Sequence, residues 1–166
     1  VPPRSRGYIG YLVVLMTIVA LMDWYISTIK TTALPYILKE YSLTPAQFSW
    51  TESLFLIPTF LVFLLNGLND IIGRKWSIFI LMLLMGSSCI CIVYFTPSFL
   101  MFMAFYAVAM LTTVSNMWAI PIGEEARAAN RGKMVALVFT LGMIPLSALL
   151  PSLLIDKLGL DWRWMY

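Results

Sequence analysis

The sequence predicts an all-α fold, a polytopic membrane helix bundle with five complete transmembrane helices and the start of a sixth. Two observations predict it. Of 166 residues, 61% are hydrophobic and 11% are charged, whereas a water-soluble domain carries about 25% charged residues, so the chain has too little polar surface to clothe a soluble ball. The charges are also bunched: residues 7–22, 53–69, 76–123 and 134–155 carry none.

Each element follows from those gaps. A hydrocarbon core about 30 Å thick takes roughly 20 apolar residues per helix, so residues 8–30, 50–69 and 134–155 each fit one crossing. Residues 76–123 fit two, with the break at Thr96-Pro97-Ser98, where Thr96 is the expected cap and Pro97 sits in the new first turn. Thr44-Pro45-Ala46-Gln47 supplies a capping threonine, a first-turn proline and a glutamine at the third helical position, with Leu43 and Phe48 placed as a hydrophobic staple. The second helix is expected to start there. Trp162 to Tyr166 reads as the opening of a sixth crossing, so residues 1–166 are expected to form one six-helix half-domain cut within its last helix. Lipid leaves backbone groups no partner outside their own segment, which favours helices throughout. Pro58, Pro121, Pro145 and Pro151 inside these runs predict bends.

Orientation follows from the basic residues in short loops. With the amino terminus in the cytoplasm, the inner segments hold Arg4, Arg6, Arg74, Lys75, Arg127, Arg131 and Lys133, against Lys39, Lys157 and Arg163 outside. That excess places the amino terminus inside. The first run contains Asp23 and has no small-residue cleavage site after it, so it reads as a retained helix. Cys89 and Cys91, two apart on one helix, point to opposite sides and read as packing residues.

Several function classes are disfavoured. There is no histidine, no cluster of metal ligands, no nucleophile paired with a base and no phosphate-cradling glycine loop, so neither an enzyme nor a metal or cofactor site is expected. The bases flank membrane segments, which gives no support to nucleic-acid binding.

The most specific local pattern is Asn66-Gly67-Leu68-Asn69-Asp70-Ile71-Ile72-Gly73-Arg74-Lys75, between the second and third helices. It resembles the loop motif of the major facilitator superfamily: glycine, three residues, aspartate, a base, any residue, glycine and two bases. Asp70, Gly73, Arg74 and Lys75 match; Asn66 replaces the first glycine and Ile71 the first base. Ala33-Leu34-Pro35, Trp50, Glu124 with Arg131-Gly132, and Trp162-Arg163-Trp164 resemble further family positions in order along the whole chain. The resemblance implies the amino-terminal half of a twelve-helix transporter, with Asp70, Gly73, Arg74, Lys75, Glu124 and Arg131 in a cytoplasmic gate. The plainer reading of the loop is a positively charged stop between two helices.

Asp23 is an acid within an apolar span, where a charge costs on the order of 3 kcal/mol and an ionisable group marks a functional site by default. Asp23-Trp24-Tyr25-Ile26 is similar to the first-helix pattern of sugar and organic-acid proton symporters, matching its first aspartate and its tyrosine but not the positions of Trp24 and Ile26. Asp23 is therefore expected either to load and release a proton or to hydrogen-bond a neighbouring helix. Lys30 either attracts an anionic solute or reaches the headgroups, with Glu52 as a possible partner. The resemblance implies that the first and fourth helices line a central cavity, making Tyr25, Ser27, Thr112, Asn116 and Trp118 candidate solute contacts beside Asp23 and Lys30; polar contacts between helices are the alternative for each. Gly142-Met143-Ile144-Pro145 lacks the glycine-proline pattern of drug antiporters. The expected function is secondary transport by alternating access in the plasma membrane, most simply proton-coupled symport of a sugar or organic acid. Its expected partners are a small solute, a proton, the bilayer and a carboxy-terminal half; an efflux antiporter and a non-transporting scaffold are the alternatives.

Overall fold

A computed structural model describes residues 5–62, 67, 71–115, 119–126 and 128–166. Helices account for the regular structure, and no strand occurs among the described residues. In chain order they are α1 (Arg6–Glu40), α2 (Pro45–Phe55), a 3-10 helix (Ile57–Leu61), α3 (Arg74–Tyr94), α4 (Phe99–Thr113), α5 (Ala119–Glu125), α6 (Ala128–Gly142) and α7 (Leu146–Pro151). A π-helical turn (Ser152–Lys157) and a short 3-10 helix (Trp162–Met165) complete the chain.

Three helical runs, Gly7–Glu40, Arg74–Tyr94 and Ala129–Lys157, are long and apolar enough to cross a membrane, and Phe99–Thr113 is a shorter apolar helix. They coincide with the first, third, fifth and fourth expected crossings. The second expected crossing begins as α2 and tightens into the 3-10 helix at Pro58; residues 63–66, 68 and 69 of that crossing lie outside the described residues.

Local chemistry explains the starts. Thr44 accepts from the Gln47 backbone while the Gln47 side chain accepts from the Thr44 backbone, closing the expected capping box ahead of Pro45. The start of α4 differs from expectation. Ser98, not Thr96, caps it, accepting from the Met101 backbone at 3.4 Å. Thr96 is held elsewhere, its hydroxyl donating to the Ile92 carbonyl at 2.8 Å. The first helix also outruns its expected end near Lys30, passing through Pro35 to Glu40. Its 35 residues extend about 50 Å at 1.5 Å per residue, well beyond the hydrocarbon core. The charged segment expected as a loop at 124–133 is mostly helical, divided between α5 and α6. Pro145 follows the break after α6, and Pro151 stands where α7 gives way to the π turn.

The chain forms two compact units, residues 1–25 with 116–144 and residues 26–115 with 145–166. In the first unit, Leu12, Met16, Val19 and Ala20 repeat at helical spacing on one face of α1 and pack with Ile122, Ala126 and Val138. A Cβ on Gly142 would stand 2.9 Å from the Ala20 Cβ, so α6 approaches α1 where a side chain is missing, as membrane helices do without water to drive them together. In the second unit, Ile26, Ile29, Ala33 and Ile37 are buried on the remainder of α1. There α3 packs along α4, and α2 and the 3-10 helix lie on α4.

Candidate functional site

Asp23 occupies the buried face of α1, continuing the Met16, Val19 and Ala20 stripe, and is 8% exposed. Burying a carboxyl in an apolar span is costly unless a partner or a proton neutralises it. Tyr25 and Ser27, its neighbours on α1, are half-buried.

Seven residues beyond Asp23 the same helix presents a cation. Lys30 Nζ lies 2.7 Å from Glu52 Oε1 on α2, with the two side chains 27% and 13% exposed. The ammonium is therefore held by an acid of the next helix. The buried Tyr106 of α4 stands close to the same Glu52. On the adjoining turns, the Thr28 hydroxyl donates to Ser147 Oγ at 2.9 Å and the Thr32 hydroxyl to the Ser147 carbonyl at 3.1 Å, tying α1 to α7.

Thr112 is buried, and its hydroxyl donates to the Ala109 carbonyl one turn back at 2.6 Å. Thr113 and Ser115 do the same to Met110 and Thr112. These donors are committed to their own helix, so a solute at this place would meet only the hydroxyl lone pairs. Asn116 and Trp118 lie outside the described residues, as does Asp70.

Gly73 precedes α3 with φ 82° and ψ 150°, a region of backbone space that is essentially glycine's alone. It turns the chain so that exposed Arg74 and Lys75 open the helix. Lys75 Nζ lies 6.0 Å from the centre of the Trp76 ring, which meets Phe79 edge-on. Arg74 belongs to the second unit, whereas Glu124 near the end of α5 and Arg131 in the first turn of α6 belong to the first; both are exposed.

The densest polar cluster gathers around Arg163 at the carboxy-terminal end of α1. Its guanidinium grips Glu40 with both η nitrogens, at 2.5 and 3.1 Å, and meets Asp161 Oδ2 at 3.0 Å. Its Nε donates to the Thr96 hydroxyl at 3.0 Å, and the Trp162 indole donates to Glu40 Oε2. Burial alone would lower the Arg163 pKa, but the hydrogen bond with Glu40 and the neighbouring Tyr41, Glu40 and Asp161 groups raise it, so it stays charged. Around it Tyr41, Phe99, Phe102, Trp162 and Tyr166 form a continuous set of ring contacts. Sequence reasoning singled out the Trp162-Arg163-Trp164 string but not Glu40 or Tyr41, and it read Thr96 only as a helix cap. The available signal was an acid closing a helix far longer than the bilayer.

The model of the Major Facilitator Superfamily matches residues 13–166 of the chain. A search of curated proteins and a search of solved structures each returned no match.

Proposed function

The chain belongs to the Major Facilitator Superfamily, a family of membrane transporters, and from that premise we propose that it is one half of a proton-coupled symporter for a small metabolite. The two halves rock about a central site and expose it to each side of the plasma membrane in turn. A homologous carboxy-terminal half supplies the rest of the cavity, and the amino terminus faces the cytoplasm. Asp70, Gly73, Arg74 and Lys75, together with Glu124 and Arg131, act as the cytoplasmic gate, and Tyr25, Ser27, Lys30, Thr112, Asn116 and Trp118 line the path.

The observation that carries proton coupling is the burial of Asp23 on α1, 8% exposed within an apolar run. An ionisable group buried within an apolar span marks a functional site by default, and a carboxyl there can bind and release a proton as solvent access alternates. It releases a proton when the passage opens to the more alkaline side and so ties solute movement to the gradient.

The test uses the full-length transporter in proteoliposomes, offered sugars and monocarboxylates under an inward proton gradient. Asp23→Asn, fixed in the neutral form, should lose uphill accumulation while solute counterflow persists. Uphill uptake surviving that substitution would remove Asp23 from the coupling role. Proton movement opposite to the solute would make the protein an antiporter.

A further inference from the structure

We propose that Lys30 is the anchoring cation of a carboxylate subsite, and that Glu52 occupies this subsite in place of a small monocarboxylate solute. This subsite depends on the transporter reading above and specifies its substrate class.

The geometry is that of a pair which is held but can be opened. Lys30 Nζ and Glu52 Oε1 are 2.7 Å apart on different helices, and the ammonium side chain keeps 27% of its surface exposed. Charged groups within membrane spans face the bundle interior or a water-filled cavity, not lipid, and on the transporter reading that exposed part faces the passage. Desolvation offsets most of what a buried ion pair contributes to folding, which leaves this pair free to exchange partners at little structural cost.

Tyr106 makes the exchange possible. It is 1% exposed on α4 and stands beside Glu52. A phenol can donate to an ionised carboxylate or accept from a protonated one, so Glu52 keeps a partner after Lys30 leaves it. The charge count then fixes what enters. Glu52 is the one charged side chain on α2, α4 contributes only Tyr106 as a titratable group, and the 3-10 helix Ile57–Leu61 contributes none. From α1 the facing group is Lys30.

One ammonium balances one carboxylate in a medium of low dielectric. A solute carboxylate can therefore take Lys30 only as Glu52 accepts a proton from the same aqueous side. Loading adds one anion and one proton and leaves the net charge of the site unchanged. An uncharged sugar or an amide would displace Glu52 without replacing its charge, leaving the ammonium unpaired.

Thermal-shift titration of the full-length transporter in detergent, without any gradient, tests this with acetate, lactate and benzoate beside acetamide, lactamide and benzamide. At least one carboxylate should stabilise the wild type while its amide does not, and its affinity should rise as pH falls. Lys30→Met should weaken that binding by about thirtyfold or more. Glu52→Gln, which imitates the protonated acid, should tighten binding and remove its pH dependence. The Lys30→Met/Glu52→Met protein, an apolar replacement of the whole pair, should melt near the wild type yet ignore carboxylates, which separates lost binding from lost folding. The subsite is overturned if amides act as well as their carboxylates, if no carboxylate shifts either the wild type or Glu52→Gln, or if Lys30→Met binds like the wild type. Binding without a gradient reads the subsite, and gradient-driven uptake by Asp23→Asn reads whether coupling needs Asp23 in addition to the proton on Glu52, so the two tests fail on different outcomes.

Discussion

At Gly73 one backbone angle determines how the third helix is entered. With φ 82° and ψ 150° the residue occupies a conformation that an L side chain resists, and a Cβ there would meet nothing within 4 Å. The obstacle is torsional and not a clash, so Gly73→Ala should cost about 1–3 kcal/mol. Gly86→Ala, on the same helix with equally open space and no positive φ, should be neutral or slightly stabilising. Melting of the two purified variants decides it: equal shifts would mean that the loop does not need glycine for its conformation. The motif made Gly73 legible in the sequence, and an acid in an apolar run made Asp23 legible. Glu52 could be named as the partner of Lys30 because α2 holds no other charge. Tyr106 could not be named, because one tyrosine in a helix with three phenylalanines carries no polar signal until α4 is placed beside α2.

Elements were legible where their chemistry is local. The capping box at Thr44 involves residues three apart and appeared as expected. The cap of α4 was misplaced because the Thr96 hydroxyl donates to the Ile92 carbonyl and accepts from Arg163, 67 positions away, and no local rule anticipates the second claim. The length of α1 was missed for a related reason. Its final turns, closing at Glu40, are anchored by Arg163 and Trp162. Arg163 thereby ties the end of α1, the turn between α3 and α4, and the final 3-10 helix into one assembly. Arg163→Lys keeps the charge but loses the fork that grips both Glu40 oxygens and still reaches Thr96. It should destabilise the full-length protein by about 1 kcal/mol, and Arg163→Ala by about 1–3 kcal/mol, with Glu40 exposure limiting both. Thermal unfolding monitored by tryptophan fluorescence provides the measurement. A lysine variant indistinguishable from wild type would mean that charge alone, not bidentate geometry, holds the assembly.

For the molecule as a whole, the charge-free gaps foretold the spanning runs because lipid imposes length and apolarity on any helix that crosses it. They said little about continuity. The same apolar composition accommodates the 3-10 segment at Pro58 and the break after Gly142, where proline geometry, not hydrophobicity, sets the backbone. Orientation depends on a different property, the excess of bases in short inner loops, and it can be tested apart from the helix boundaries. Ser42, exposed between α1 and α2, belongs outside on this reading, and Asn130, exposed at the start of α6, belongs inside. In a full-length protein with Cys89 and Cys91 replaced by alanine, Ser42→Cys in intact cells should react with a membrane-impermeant maleimide. Asn130→Cys should react only after the membrane is opened. The reverse pattern would invert the chain and put Arg74, Glu124 and Arg131 outside, removing the proposed cytoplasmic gate. Labelling of both sites from outside would mean that an odd number of crossings does not separate residues 42 and 130, and the five-crossing reading would fail with it.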